Sequence, residues 1–259
     1  CGVSKIGIDE TSKAKGHDYV SLFVDLEDKR TIFVVEGKGS ETVAEFKKDF
    51  TEHGGKPENI TDASIDMSPA FIKGVEDNFP RAEITFDKFH IMKIINKAVD
   101  AVRKAEAKEQ ELLKGQKYLF LKNRERLTEA QKTELQAIES MPRLNLKTVR
   151  AYHIRENFQE IYKETTREAF KAALKKWYFW ATHSRIDAIK ESAKTIKRHW
   201  SGVIRWYDSK ISNGILEGLN SLVQAAKAKA RGYRTFKNLR TIIYMLTGKL
   251  DYSKVGLPT

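Results

Sequence analysis

VSKIGIDETSKAKGHDYVSLFVDLEDKRTIFVV, residues 3–35, contains three short apolar runs joined by polar turns. The runs cover residues 3–8, 19–24 and 31–35 and are rich in Val, Ile, Phe and Thr. Residues of these types favour strands, and connections this short join neighbouring antiparallel strands. The stretch therefore predicts a three-stranded antiparallel meander.

After the meander, helix and strand patterns alternate. Val43, Phe46 and Phe50 recur at helical spacing, and residues 60–65 form an apolar run typical of a buried strand. Pro69 begins a second helical pattern, and residues 82–86 form a fifth strand pattern. A helix between the last two strands implies that they pair in parallel. The order βββ-α-β-α-β predicts an α/β fold with a mixed five-stranded sheet flanked by helices.

The middle of the chain changes to helical patterns almost throughout. Between residues 88 and 206 the strong helix breakers are Gly115, Pro142 and Gly202. We therefore divide the chain into a first part of the sheet domain (1–96), a large all-helical insertion (97–206) and C-terminal helices that return to the sheet domain (207–259).

Composition and charge narrow the classes of protein. The 259 residues carry a formal charge of +12, and we find no apolar run long enough for a membrane span and no signal-peptide pattern. Cys1 is the only cysteine, which excludes an internal disulfide and a cysteine-rich zinc site. We expect an intracellular protein with no membrane partner and no small-molecule cofactor.

The charge is distributed unevenly along the chain. Residues 1–96 hold 13 basic and 18 acidic side chains, residues 97–206 hold 25 and 14, and residues 207–259 hold 9 and 3. The cationic excess therefore lies outside the predicted strands, which indicates a nucleic-acid-binding surface around a slightly acidic core.

Three acidic residues are candidates for one site. Asp9 and Asp66 each follow a predicted central strand, and ligands bind at the carboxyl ends of strands in α/β sheets. Glu217 shares a polar helix face with Asn220 and Gln224. Three carboxylates of this kind suit Mg²⁺ or Mn²⁺. The alternative is that the aspartates form turns or cap helices, and that Glu217 is an ordinary solvated residue.

At this point the sequence resembles the DDE transposases of bacterial insertion sequences, specifically the ISL-three family. Three ordered blocks carry the resemblance: IGIDETSKAKGHDYVSLFVDL (6–26), ITDASIDMSPAFIKGVEDNFPRAEITFDKFHIMKIINKAVDAVR (60–103) and SNGILEGLNSLVQAAKAKARGYRTFKNLRTIIYML (212–246). The resemblance implies a ribonuclease H-like fold with its long helical insertion before the final catalytic Glu.

The resemblance also implies a mechanism and partners. Asp9, Asp66 and Glu217 would be the catalytic triad and would bind two Mg²⁺ ions, for which Mn²⁺ would substitute. The enzyme would cleave DNA at element ends and join the freed ends to target DNA. It would act as a homo-oligomer, such as a dimer, on DNA in the bacterial cytoplasm, associated with the nucleoid.

Two other functions stay open. One is a structure-selective nuclease of the same ribonuclease H-like fold. The other is a non-catalytic DNA-binding regulatory protein derived from a transposase.

The chain begins at Cys1 and not at Met, so we expect it to be part of a longer protein. Members of the family generally begin with a zinc ribbon and a helix-turn-helix region, of which we find no pattern here. The chain is therefore expected to bind DNA chiefly through charge and shape.

Asp87 and His90 lie just past the fifth predicted strand, in FDKFH. They match a motif of the family, so His90 is a candidate to contact a phosphate or orient a catalytic group. The alternative is that Asp87 caps the next helix and His90 is half-buried against it.

A basic cluster follows Glu217 and contains no acid. Its members are Lys227, Lys229, Arg231, Arg234, Lys237 and Arg240. A solvated helix face normally mixes the signs of its charges, so we favour a DNA-binding surface over a merely soluble one.

Aromatic residues in the predicted insertion are a further candidate. Trp177 and Trp180 stand among basic residues in KKWYFW and could stack on unpaired bases. The alternative, which we favour, is that they pack the core of the insertion.

Overall fold

The computed structural model describes residues 2–13, 18–141, 145–211 and 214–251. The chain divides into two compact units, which we call the sheet unit (Cys1–Asp87 with Ser209–Thr259) and the helical unit (Lys88–Asp208). Within the described ranges, no helix is both long enough and apolar enough to cross a membrane.

The sheet unit contains one mixed sheet. Its strands are β1 (Lys5–Ser12), β2 (Tyr19–Asp25), β3 (Arg30–Glu36), β4 (Asp62–Ile65) and β5 (Glu83–Phe86). Its helices are α1 (Ser40–Glu52), α2 (Pro69–Asn78), α10 (Gly214–Lys229) and α11 (Phe236–Thr247). In space the strand order is β3-β2-β1-β4-β5; β2 is antiparallel to β1 and β3, whereas β1, β4 and β5 are parallel. The predicted βββ-α-β-α-β order is confirmed, and the arrangement is that of the ribonuclease H-like fold.

The first strand is longer than its apolar run. We expected a strand that ends at Asp9, but β1 continues to Ser12, because β2 pairs with it as far as Ser12 opposite Tyr19. The parallel neighbour β4 ends at Ile65. The prediction that Asp9 ends its strand was therefore wrong, although Asp9 lies close to the level at which the parallel neighbour stops.

The first face of the sheet is covered by α1. The rings of Phe23 in β2 and Phe46 in α1 stack with their centroids 4.5 Å apart, and Phe50 and Phe79 extend this aromatic cluster around Phe46. Successive side chains of a strand point to opposite faces, so the neighbour Leu22 points to the other face. Aromatic burial of this kind contributes a large share of the core's stability.

The second face of the sheet is covered by α10 and α11. Val223 of α10 and Leu239 and Ile243 of α11 are buried in one cluster with Val20 and Leu22 of β2. Helices from the far end of the sequence are thereby held against the first strands of the chain.

The chain from residue 88 onward is helical until it re-enters the sheet unit. The helices are α3 (Lys88–Glu106), α4 (Lys117–Leu121), α5 (Glu129–Glu139), α6 (Lys147–Ile161), α7 (Arg167–Thr182), α8 (Asp187–Arg198) and α9 (Trp200–Ser209). Both α3 and α7 pack against α6 and α8. Because α3 is one continuous helix that begins at Lys88, the first boundary between the compact units lies at 87/88; the second lies at 208/209, at the end of α9.

A half-buried carboxylate joins two helices of the helical unit. Glu106 at the end of α3 accepts hydrogen bonds from the backbone N–H groups of Lys147 and Thr148, at 2.8 and 2.9 Å, where α6 begins. A carboxylate at this position satisfies otherwise unpaired donors and complements the helix dipole. Glu106 therefore fixes the start of α6 against α3.

Candidate active site

Three aspartates follow the paired segments of the three parallel strands. The β1–β4 pairing ends with Gly7 opposite Ser64, and Asp9 and Asp66 each lie two residues beyond this last pair. Ile65 of β4 pairs with Phe86 of β5, which places Asp87 opposite Asp66. Residues paired across parallel strands point to the same face, and neighbouring strands lie about 4.8 Å apart. The topology thus places Asp9, Asp66 and Asp87 at one edge of the sheet, on the neighbouring strands β1, β4 and β5.

Local backbone groups hold these carboxylates. Oδ1 of Asp9 accepts the N–H of Glu10 at 2.8 Å, and Oδ1 of Asp66 accepts the N–H of Ser68 at 2.8 Å. Both side chains are half-buried. These hydrogen bonds fix the orientation of the two carboxylates.

Helix α10 lies along β1 with matching spacing. Leu216, Asn220 and Gln224 are four residues apart, and their partners in β1 are Gly7, Asp9 and Thr11, which are two residues apart. Nδ2 of Asn220 donates to Oδ2 of Asp9, and Nε2 of Gln224 donates to Oγ1 of Thr11. Four helical residues advance about 6 Å and two strand residues about 6.6 Å, so the contacts stay in step.

Gly7 allows this close approach. A Cβ at residue 7 would lie 2.9 Å from both Cδ atoms of Leu216 and 2.9 Å from Cδ2 of Leu26. Leu216 is itself buried together with Val24 and Leu26. The missing side chain therefore sets the distance between α10 and β1, and with it the distance between Asn220 and Asp9.

Glu217 lies on the polar edge of α10. Leu219 packs beside Leu216 on the side of β2. In a helix, residue 217 is rotated about 100° from residue 216 in one direction and residue 219 about 60° in the other. Since β2 and β4 flank β1 on opposite sides, Glu217 is turned toward the side of β4. Its side chain is exposed.

The donors at this edge fit a hard divalent cation. Oδ1 of Asn220 is buried and has no hydrogen-bond partner among the described residues, while its Nδ2 contacts Asp9. Carboxylate and amide oxygens are the ligands that Mg²⁺ and Mn²⁺ take. No three His, Cys, Asp or Glu side chains of the described residues form a cluster that could hold a metal ion. The structure thus sets Asp9 and Asp66 on neighbouring strands, each two residues past the last β1–β4 pair, and does not bring Glu217 into a three-ligand cluster with them.

The two accessory candidates fall in different units. Asp87 is buried in the sheet unit, and its N–H donates to the carbonyl of Ile65 at 3.2 Å. His90 is half-buried in the first turn of α3, in the helical unit, with its ring edge-on to Phe89. The roles predicted for Asp87 and His90 stay predictions.

The basic cluster contains one member that differs from the rest. Nζ of Lys227 donates to the carbonyl and Oγ of Ser12, at 2.6 and 3.1 Å, and so extends the α10–β1 contacts by one turn. Five members are exposed, and within the described residues none of them forms an ion pair: Lys229, Arg231, Arg234, Lys237 and Arg240. We call these five the basic turn.

The conformation of the basic turn follows from its sequence. Arg231 has φ 55° and Gly232 has φ 96°, and the N–H of Gly232 donates to the carbonyl of Lys227 at 2.9 Å, which ends α10. Oγ1 of Thr235 accepts the N–H of Asn238 and caps α11. The aromatic residues between the cations, Tyr233 and Phe236, pack against the core of the sheet unit. They anchor the turn, which leaves its cations in solvent.

The two tryptophans that are candidates for base stacking lie in different environments. Trp177 is fully buried, with its ring 4.6 Å from that of Phe158, and its Nε1 donates to the carbonyl of Ile154 at 2.9 Å. For Trp177 the favoured interpretation, packing in the core of the insertion, is confirmed, because its fully buried ring leaves no room for a base. Trp180 is 42% exposed and lines a groove of the helical unit.

Sequence reasoning missed the residues that support the site. Asn220 and Gln224 were placed on the face of Glu217, but no contact with β1 was assigned to them. The signal was present in two spacings: polar residues four apart in the helix, and polar residues two apart in the strand beyond Ile8.

A ribonuclease H-like sheet with aspartates just past the paired segments of its parallel strands defines the class of protein. The chain belongs to the ISL-three family of DDE transposases, because the family profile, described as a transposase, matches residues 6–243.

Two named relatives are similar along most of the chain. The transposase for insertion sequence element IS1001 of Bordetella parapertussis is 25% identical over 240 residues, which cover 90% of this chain and 58% of that protein. The transposase for insertion sequence element IS1557 of Mycobacterium tuberculosis is 28% identical over 261 residues, which cover 89% of this chain and 57% of that protein. The chain therefore spans less than two thirds of the length of these relatives.

Proposed function

We propose that this chain is the catalytic part of a transposase that cleaves DNA strands and transfers the freed 3′ ends to target DNA. Asp9, Asp66 and Glu217 are its catalytic carboxylates. The observation that carries this proposal is that Asp9 and Asp66 each lie two residues beyond the last β1–β4 pair, Gly7 with Ser64, while Asn220 of the helix that carries Glu217 contacts Asp9.

Each residue of the site has a distinct task. Asp9 presents its carboxylate oxygens from β1 and Asp66 from the end of β4, the neighbouring strand, and Glu217 supplies a third carboxylate from the helix. Asn220 holds Asp9 in place through its amide N–H group. Two Mg²⁺ ions, when bound there, would activate the attacking water or 3′ hydroxyl and stabilise the leaving oxygen.

The basic turn is the proposed path of the DNA backbone. Its five cations are exposed and follow the helix that carries Glu217, so phosphates held there would lead toward the carboxylates. We assign Lys227 chiefly to the contact between α10 and β1, because its ammonium group donates to the carbonyl and Oγ of Ser12.

The partners follow from the family. The named relatives are transposases of insertion sequence elements, which supports element ends and target DNA as the substrates of this chain. Joining two ends in one event requires two active sites, so we propose a dimer or larger homo-oligomer on DNA.

The test is cleavage of supercoiled plasmid and strand transfer of an end-bearing duplex, with and without Mg²⁺. Asp9→Asn, Asp66→Asn and Glu217→Gln should each abolish Mg²⁺-dependent products. The matched control is Glu10→Gln, because Glu10 is the next residue of β1 and points to the opposite face of the sheet; it should retain activity. Variants that cleave like the parent would overturn the triad, and a parent that binds DNA but never cleaves it would favour a regulatory protein.

A further inference from the structure

A groove of about 780 Å³ lies within the helical unit, between α6 and the end of α7. Its volume falls in the range of about 300–1,000 Å³ that is typical of sites for small organic groups. Its lining combines an indole, an amide and two guanidinium groups, from Trp180, Asn157, Arg150 and Arg185. These are the side chains that recognise a base and its phosphate.

The positive charge of the groove is not neutralised from within. Among the described residues, neither Arg150 nor Arg185 forms an ion pair, and Nε of Arg150 is buried without a hydrogen-bond partner. The lining also contains two acids, but Glu156 pairs with Arg155, and Glu160 pairs with Lys163 at 2.9 Å. The two arginines are therefore available for an anion.

The indole of Trp180 is the groove's stacking surface. Trp180 is 42% exposed, whereas Trp177, one turn earlier on α7, is fully buried. An exposed indole beside arginines binds bases through stacking, and stacking needs an unpaired base because the faces of a paired base are covered by its neighbours.

We infer that this groove binds one unpaired nucleotide of a DNA strand, with its base on Trp180 and its phosphate at Arg150 or Arg185. The inference rests on the proposed function for its choice of DNA. A strand fits better than a free nucleotide because residues 97–206, which contain the groove, carry 25 basic against 14 acidic side chains. Such an excess extends the contact to further phosphates.

The inference is tested with an oligonucleotide that carries 2-aminopurine at a single unpaired position. Binding of the parent should quench the fluorescence of this base through stacking. Trp180→Ala should abolish the quench and weaken binding about 10-fold, whereas Trp180→Phe should keep most of both. Arg150→Gln and Arg185→Gln should each weaken binding.

The matched control is Phe179→Ala. Phe179 is 64% exposed, adjacent in sequence and not part of the groove lining, which it meets only through the ring of His183, so its removal should leave the quench by Trp180 intact. Thermal unfolding of each variant shows whether it is folded. If Trp180→Ala quenches the fluorescence as strongly as the parent does, the inference is overturned. It is also overturned if a deoxynucleoside monophosphate competes for the groove as strongly as the oligonucleotide does.

The outcome is separable from that of the proposed function. If cleavage depends on Asp66 but Trp180→Ala binds the oligonucleotide and quenches its fluorescence like the parent, only this inference is overturned. A quench that follows the expected pattern in a protein that never cleaves DNA would support the groove and overturn only the proposed chemistry.

Discussion

The amide Nδ2 of Asn220 donates a hydrogen bond to Oδ2 of Asp9, a contact between residues 211 positions apart in sequence. It links the helix that carries Glu217 to the strand that carries Asp9. The other polar atom of the Asn220 amide, Oδ1, is buried and has no hydrogen-bond partner among the described residues. Asn220 therefore couples two parts of the candidate active site that come from opposite ends of the chain.

Replacing Asn220 with Ala should weaken Mn²⁺ binding by about 10–100-fold, as is typical when a group that orients a metal ligand is lost. The measurement is a titration of Mn²⁺ into the metal-free protein, in which the electron paramagnetic resonance signal reports the concentration of free Mn²⁺.

The control for Asn220 is Gln224→Ala, which removes the next contact of α10, to Thr11, but touches no carboxylate. It should lower thermal stability and leave Mn²⁺ affinity within about 3-fold of the parent. Equal losses of Mn²⁺ affinity in both variants would show that Asn220 acts only on the stability of the fold.

Gly7→Ala should destabilise the protein by about 1–3 kcal/mol, because the added Cβ would overlap Leu216 and Leu26. Chemical denaturation of the parent and the variant measures the change. Leu216→Ala should relieve part of the overlap, so the double variant should be more stable than the sum of the two single changes predicts. Strict additivity would mean that α10 does not pack against Gly7.

The two lysines at the end of α10 should behave differently toward DNA. Lys229→Gln should reduce the slope of the logarithm of the DNA-binding constant against the logarithm of the salt concentration by about 1, as expected for one lost phosphate contact. Lys227→Gln should leave the salt dependence unchanged and lower thermal stability, because Lys227 holds Ser12. Filter binding across a series of salt concentrations separates the two results. The reverse pattern would contradict the assignment of the basic turn.

Charge reversal within the basic turn is a stronger test. Arg231→Glu with Arg234→Glu should lower DNA affinity and flatten its salt dependence, since both side chains are exposed. Binding that is unchanged in affinity and salt slope would mean that the turn faces away from DNA.

Stability of the helical unit should depend on pH through Asp100. Burial raises the pKa of Asp100, but the hydrogen bonds and charges of Lys104 and Arg103 outweigh that effect and hold the pKa below its ordinary value. A carboxyl whose pKa is lowered on folding contributes stability above its unfolded pKa of about 3.9, and loses it as the pH falls through the folded value.

Asp100→Asn should therefore lower the melting temperature at neutral pH, and the difference from the parent should shrink as the pH is lowered below about 4. Calorimetric scans across this range are the measurement. A difference that is constant with pH would show that the charge of Asp100 adds no stability.

Much of the fold follows from local patterns. The short polar turns of residues 3–35 allowed a meander, and the helix between the last two strands required parallel pairing. The end of β1 could not be predicted, because Thr11 and Ser12 are polar and join the strand only through pairing with β2. Strand ends set by a partner are not visible in one segment of sequence.

The candidate active site was likewise only partly predictable from the sequence. Residue types and order indicated Asp9, Asp66 and Glu217, but the contact of Asn220 with Asp9 depends on how α10 lies on the sheet. Helical spacing could not separate Trp177 from Trp180, since both stand among Lys, Phe and Tyr in a helix with aromatic residues on several sides. Nor could charge alone separate Lys227, which binds Ser12, from the exposed Lys229.

A single measurement tests most directly whether Asp9 and Asp66 share a metal ion: the anomalous difference map of crystals of this chain soaked in Mn²⁺. We predict a peak within coordinating distance of a carboxylate oxygen of both aspartates, on the side of α10. Mn²⁺ found only at other carboxylates, or bound to Asp9 with Asp66 turned away, would contradict the proposed active site.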